Sequence, residues 1–165
     1  MRTLKLRQSK VQFNPNFLLK ALFESSGELE KILYYDEKSY DLKNDNQWNL
    51  LAISIHLGDV EIGVAEQIRM IMDRTTKDLH HVDFDAIPLE SEYATKDLDH
   101  ALWRFQKARE QTVYLMYGLS KRDWSSEGQH PYKGNVSILD LAQDLYHHDL
   151  EHLWQSRKLS TGKLW

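Results

Sequence analysis

The sequence predicts an all-α protein, a four-helix bundle, and three observations support that prediction. Apolar residues recur at steps of three and four in four separate runs, which is the period of an amphipathic helix. No stretch shows the convincing period-two alternation that marks a half-buried strand. The chain has 165 residues, 41% of them hydrophobic, which is enough for one domain with its own core. We therefore expect residues 1–165 to form a single helical bundle domain.

The first two helices are indicated by long apolar stripes. Helix one is predicted over about residues 16–38, behind Asn14-Pro15, which supplies a favourable cap and a first-turn proline. Helix two is predicted over about residues 48–76, where a stripe runs from Ile53 to Ile71 and no proline interrupts it. It is the longest of the four.

The last two helices have polar residues near their predicted starts. Helix three is predicted over about residues 94–118, with Ser91 and Thr95 as polar residues that could cap it. Ser137 and Asp140 resemble a capping box and open helix four, which is predicted to run to about residue 159.

Two long connections separate these later helices, residues 77–93 and 120–136. Helix two should be about 43 Å long, whereas the first connection could reach about 55 Å when extended, so it can cross the whole bundle. Such a crossover would let helices two and three run parallel and helices two and four antiparallel, which gives an up-down-down-up order.

Composition excludes several classes of function. The formal charge of −4 is spread along the chain without a basic stripe, which disfavours nucleic-acid binding. No stretch approaches the ~20 apolar residues of a membrane span, and no signal-peptide core follows the N-terminus, so we expect a cytoplasmic protein. Because the chain has no cysteine, any metal must be held by nitrogen and oxygen.

A pair of histidines on helix four is the first candidate site. His148 and His152 lie on the apolar seam, and a spacing of four residues places both imidazoles on one face, where a single metal can bind them. Such a pair also arises from polar core groups that bond to their neighbours, so the spacing alone leaves both interpretations open.

His56 strengthens the metal interpretation, because it lies beside the buried stripe of helix two. An antiparallel arrangement of helices two and four puts it at the depth of His148 and His152. Three neutral imidazoles with an open position describe a catalytic type of site. The alternative is a set of core histidines bonded to Asp59, Asp149 or backbone carbonyls.

The other histidines receive plainer interpretations. His80 and His81 belong to a solvated loop, His100 lies on the surface, and His147 points about 100° away from His148. His130-Pro131 either forms a turn or covers the mouth of the site.

Three stretches of the chain resemble the DinB-like, YfiT-like four-helix bundles, a family described as metal-dependent hydrolases and including bacillithiol transferases. These stretches are residues 48–61, His130-Pro131 with Gly134 and Ser137, and residues 147–155. The resemblance implies the up-down-down-up fold, and it implies that His56, His148 and His152 bind the metal.

We therefore expect a metal-dependent enzyme, a hydrolase or a thiol transferase, acting on a small molecule of which a thiol is one candidate. Imidazole ligands suit zinc, nickel or iron, so the divalent ion is not identified. Asp59 or Asp149 could orient an imidazole, and pocket residues could include Trp124 and Tyr132. Neither Glu61 nor Glu151 can be assigned as a general acid or base from sequence.

The alternative from another class is a non-catalytic, stress-associated bundle that uses the ion or a ligand for stability or sensing. A homodimer is compatible with either function.

Overall fold

The structure, a computed structural model, describes residues 13–35, 48–74, 76–89 and 97–161. In chain order these residues form α1 (Pro15–Tyr35), α2 (Leu50–Asp73), α3 (Leu98–Tyr117), the short α4 (Lys121–Trp124), β1 (Glu127–His130), β2 (Gly134–Ser137) and α5 (Ile138–Thr161). The four long helices confirm the predicted all-helical bundle. No helix among the described residues is long and apolar enough to cross a membrane.

Local backbone chemistry sets both ends of α2. The Asn49 side chain accepts a hydrogen bond from the N–H of Ala52 at 2.7 Å, so the helix begins at Leu50 instead of residue 48. Arg74 adopts the left-handed conformation, with φ 53°, which ends the helix at Asp73 instead of residue 76.

A side-chain cap also sets the start of α3. Asp97 accepts a hydrogen bond from the N–H of His100 at 2.7 Å, and the helix begins at Leu98 instead of residue 94. The predicted caps Ser91 and Thr95 lie outside the described residues.

The remaining helix boundaries agree with the sequence prediction within two residues where they are described. Ser137 and Asp140 form the expected capping box, with reciprocal hydrogen bonds of 2.9 and 3.1 Å at the start of α5. Pro15 occupies the first turn of α1, and the predicted end of that helix, residues 36–38, lies outside the described residues.

The hairpin formed by β1 and β2 contradicts the expectation that the chain has no strand. Glu127 pairs with Ser137 and His130 pairs with Gly134, whose φ of 78° suits the turn. Each strand has four residues, and the strands are rich in glycine and polar side chains, so the backbone ladder rather than an apolar alternation holds them together. A period-two search therefore has almost nothing to detect here.

Contacts between the helices show the relative direction of α2 and α3. α2 packs against α3 and α5, and α1 packs against the same two helices. Asp59 of α2 contacts Arg104 of α3 and Glu61 contacts Arg109, so the contacts advance along both helices in the same sense. Parallel packing of α2 and α3 is what an up-down-down-up order requires.

The apolar core is divided into two clusters along the bundle, and a layer of polar side chains lies at the junction between them. One cluster includes Leu22, Val64, Met116 and Leu145, and the other includes Leu29, Ile53, Phe105 and Leu153. At the junction four buried polar residues, one from each long helix, are joined by hydrogen bonds, and we call these the polar layer: Ser25, Glu61, Arg109 and Asp149.

Candidate metal centre

Three imidazole rings meet inside the bundle. His56 Nε2 lies 2.9 Å from His148 Nε2, and His152 Nε2 lies 3.0 Å from the same atom. All three side chains are buried, with 2%, 5% and 7% of their surface exposed. The structure thus brings together the three histidines that the sequence nominated. Within the described ranges, no other group of three His, Cys, Asp or Glu side chains converges in this way.

Two antiparallel helices supply these rings. His148 and His152 are one turn apart on α5, so they project from the same face. His56, in the second turn of α2, meets them near the middle of α5, although His56 and His148 are 92 positions apart in the sequence.

Two aromatic residues pack against the imidazoles. The ring of Trp48 lies 5.1 Å from His56 and 5.3 Å from His152, measured between centroids. The ring of Phe84 lies 4.9 Å from His148. These contacts restrict rotation of the imidazoles and keep water from their outer edges.

A hydrogen bond behind His152 fixes its tautomer. Its Nδ1 lies 2.8 Å from the side-chain oxygen of Gln155, which can only accept a hydrogen bond. Nδ1 therefore carries the proton, and Nε2 presents a lone pair to the other two rings.

His148 has less complete bonding. Its Nε2 lies 3.2 Å from the backbone oxygen of Phe84, in addition to its two histidine neighbours. Its buried Nδ1 has no hydrogen-bond partner among the described residues. A neutral ring carries one proton, so Nε2 of His148 cannot satisfy all of these contacts as hydrogen bonds.

Burial keeps the three imidazoles neutral. Burial, and after it the neighbouring His152, lower the pKa of His56 to about 4 and that of His148 to about 3. Burial also lowers the pKa of His152, although its bond to Gln155 opposes this shift. The rings are therefore uncharged at neutral pH, which is the form that binds metals.

The arrangement fits a divalent metal ion. Nitrogen ligands bind zinc at about 2.0–2.1 Å, which places two ligand nitrogens of a tetrahedral site about 3.3 Å apart. The Nε2 distances of 2.9 and 3.0 Å are slightly shorter, so a small opening of the trio would admit an ion. An ion would also give the converging lone pairs a common partner.

The expectation that Asp59 or Asp149 orients an imidazole is wrong, because both carboxylates bind arginines. Asp59 accepts a hydrogen bond from Arg104 at 2.7 Å, and Asp149 pairs with Arg109 at 2.6 Å. Gln155 instead hydrogen-bonds to an imidazole of the trio, that of His152. Its position three residues after His152, on the same helical seam, is the signal that could have identified it.

The other histidines lie outside the trio. His100 and His147 are exposed, as predicted. His81 is exposed and its ring lies 5.0 Å from that of Tyr132. His130 is buried at the end of β1, where its Nδ1 accepts hydrogen bonds from the turn that follows, which supports the turn interpretation.

His80 is not simply part of a solvated loop. Its backbone oxygen accepts a hydrogen bond from Gln67 at 2.8 Å, and its ring is half-buried. It belongs to residues 76–89, which we call the covering segment because its Phe84 packs over His148.

The covering segment is tied to the hairpin. The N–H of Leu79 donates to the backbone oxygen of Gln129 at 2.9 Å, and the N–H of Gln129 donates to Lys77 at 2.6 Å. Val82, further along, packs against Gly63 of α2, where an added Cβ would lie 2.8 Å from a Val82 methyl group. The segment is therefore held at both the hairpin and α2.

Two clefts flank the covering segment and reach the trio from different sides. The first, about 410 Å³, reaches His56 and is lined by apolar residues of the segment such as Ile87 and Pro88. The second, about 350 Å³, reaches His148 and is lined mainly by polar and charged side chains: Asp83, Asp85, Lys133, Asp144 and Glu151.

Of the two predicted pocket residues, one lines a cleft and the other does not. Tyr132 lines the second cleft and is 79% exposed. Trp124 lines neither cleft, because it is buried in the hydrophobic core, and the expectation for it is wrong. Glu151 also lines the second cleft, whereas Glu61 is buried in the polar layer.

Comparison with known proteins finds a similar fold and a matching family. A solved structure that superposes well is YfiT from Bacillus subtilis, described as "a probable metal-dependent hydrolase with an unusual four-helix bundle topology". The TM-score is 0.77 at 17% sequence identity, and the match covers 96% of this chain and 92% of YfiT. No curated protein sequence matches the chain. The model of the DinB superfamily matches residues 19–156, and the chain therefore belongs to the DinB superfamily.

Proposed function

We propose that this protein is a metal-dependent enzyme, a hydrolase or a thiol transferase, whose divalent ion is bound by His56, His148 and His152. The observation that carries the proposal is the convergence of three buried imidazoles from two distant stretches of chain. The description of YfiT as "a probable metal-dependent hydrolase" supports it. Zinc, nickel and iron all suit this donor set.

The site has the character of a catalytic centre, because three protein ligands leave a coordination position for substrate or water. A bound ion would act as a Lewis acid and would lower the pKa of a water molecule or thiol beside it. The chain's own residues have other tasks. Gln155 holds His152, and Trp48 and Phe84 exclude bulk water from the rings.

Both clefts are sized for a small molecule or part of one. The second brings carboxylates close to His148, and those of Asp83, Asp85 and Glu151 are candidates for proton transfer. A thiol substrate, a cytoplasmic location and a homodimer stay predictions.

Metal content tests the proposal most directly. Elemental analysis of untagged wild-type protein should show about one ion per chain, because one trio of histidines is present in the described residues. His148→Ala should lose the ion and retain a helical circular dichroism spectrum. His147→Ala is the matched control, since its ring is exposed on the same helix, and it should keep the ion. Equal metal content in all three proteins would contradict the proposal.

A non-catalytic metal site is the competing function, and one contact favours it. The backbone oxygen of Phe84, 3.2 Å from His148 Nε2, could serve as a fourth protein ligand and close the site. Chelation distinguishes the two functions. A structural site should lose much of its melting temperature when the ion is removed, whereas an enzyme should lose turnover and remain folded.

A further inference from the structure

The polar layer joins the four long helices through one guanidinium group. Arg109, 1% exposed, donates two parallel hydrogen bonds to Asp149, at 2.6 and 2.9 Å, and one to Glu61 at 2.8 Å. It also donates to the backbone oxygen of Leu22 at 2.6 Å and to Ser25 Oγ at 2.9 Å. The network therefore links α1, α2 and α5 to α3.

The charges in this network do not balance. Arg109, Glu61 and Asp149 are the buried side chains with a formal charge within the described residues, and together they carry one net negative charge. Burial lowers the pKa of Arg109, but the two carboxylates outweigh this and hold the pKa above its ordinary value. Glu61 Oε1 and Arg109 Nε have no hydrogen-bond partner in the described part of the chain. A net charge buried in this way is unfavourable unless an opposite charge lies near it.

The network adjoins the three histidines. Asp149 directly follows His148 on α5, and Glu61 lies on α2 a little more than one turn beyond His56. Three neutral imidazoles bring no charge of their own to offset a divalent ion.

We infer that Glu61, Arg109 and Asp149 form the counter-charge of the metal centre and raise its affinity for a divalent cation. None of the three is itself a ligand, since none belongs to the group of converging ligand atoms. The inference rests on the proposed function.

The test compares two glutamates that lose the same charge. Glu61→Gln removes the net negative charge of the layer and keeps an oxygen that can accept from Arg109. Glu110→Gln is the matched control, because Glu110 directly follows Arg109 but is exposed and, within the described residues, pairs with Lys107 at 2.8 Å. Zn²⁺ and Co²⁺ are titrated into the metal-free, full-length proteins. Glu61→Gln should weaken binding of both ions by roughly tenfold or more, because a charge acts strongly across a dry interior. Glu110→Gln should stay within about twofold of wild type, since solvent screens an exposed charge.

The visible spectrum of bound Co²⁺ separates charge from shape. If the layer acts through its charge, Glu61→Gln should bind Co²⁺ more weakly with an unchanged spectrum, because the three nitrogen ligands have not moved. A changed spectrum would mean that the layer shapes the site, and this would overturn the counter-charge role.

Remaining outcomes are distinguishable. If wild type binds neither ion, the proposed function fails and this inference fails with it. If wild type binds and both glutamine variants match it, only this inference is overturned. Should Glu61→Gln not fold, the triple variant Glu61→Leu/Arg109→Met/Asp149→Leu removes the same net charge while keeping an apolar core, and the same criteria apply.

Discussion

Gln155 shows how a single residue controls the chemistry of the trio. By accepting a hydrogen bond from His152 Nδ1, it commits the other ring nitrogen to the centre of the site. Partners of this kind orient a metal-binding imidazole and raise its basicity.

Removing Gln155 should therefore weaken the metal site without removing a ligand. Gln155→Ala should lower zinc affinity by about 10–100-fold, because His152 loses the group that fixes its tautomer and orientation. Competition with a chromophoric chelator measures this change. Gln111→Ala, an exposed glutamine on α3, is the control and should bind zinc as wild type does. Equal affinities for the two variants would contradict the assigned role.

Sequence patterns predicted the histidines but not their partners. His56, His148 and His152 were notable because each occupies or adjoins an apolar stripe, where polar side chains are uncommon. Asp149 was one of two candidates, with Asp59, to orient an imidazole. Arg109, which is distant in sequence, forms two hydrogen bonds with Asp149 instead, and helical periodicity carries no information about such a pairing.

Among the elements, the covering segment is the one that the sequence described least. Its contacts are made by a parallel bridge between Asp78 and Gln129 and by the packing of Val82 on Gly63. Neither contact produces a periodic pattern, whereas the four long helices follow directly from theirs. Helix boundaries were displaced for a related reason, since caps such as Asn49 and Asp97 act through single hydrogen bonds.

Gly63 allows the covering segment to lie close to α2. Gly63→Ala should destabilise the protein by about 1–3 kcal/mol, because the new methyl group would collide with Val82. Gly27→Ala should instead stabilise it by roughly 0.5–1 kcal/mol, because that helical position is open on α1. Urea denaturation measures both.

Relief of the collision is the further check on this packing. Adding Val82→Ala to Gly63→Ala should recover part of the lost stability, because the smaller side chain makes room for the alanine. If the double variant is less stable by the sum of the two single effects, the contact with Val82 is not the cause.

At the scale of the whole molecule, the bundle has two apolar clusters separated by polar and ionisable groups. The sequence predicted the bundle from four stripes. The sequence did not predict that the core is divided into two clusters. The polar layer takes one residue from each of four helices, and in each helix alone this residue interrupts the apolar stripe only slightly.

The buried histidines should make the metal-free protein sensitive to mild acid. His56 and His148 have pKa values of about 4 and 3 in the folded protein, below the ordinary value of 6.5. Between pH 6.5 and these lower values, the unfolded chain therefore binds more protons than the folded chain does. Their stabilising contribution is complete above pH 6.5 and is lost as the pH falls. Below pH 6.5 the free energy of unfolding should decrease by about 1.4 kcal/mol per pH unit for each of these two histidines.

Urea titrations between about pH 7.5 and pH 5 would measure this slope for the metal-free protein. His147→Ala should retain it, because that ring is exposed in the folded state. A free energy of unfolding that stayed constant or rose over this interval would contradict the neutral, buried state of the trio.

The separation of 92 positions between His56 and His148 also affects how the protein forms its metal site during refolding. Neither half of the chain can assemble the trio alone, and contacts between such distant positions form late, after the intervening chain has been ordered. A coloured ion such as Co²⁺, added during refolding, would then bind only after α5 has packed against α2. Its absorbance should therefore appear later than the circular dichroism signal of the helices.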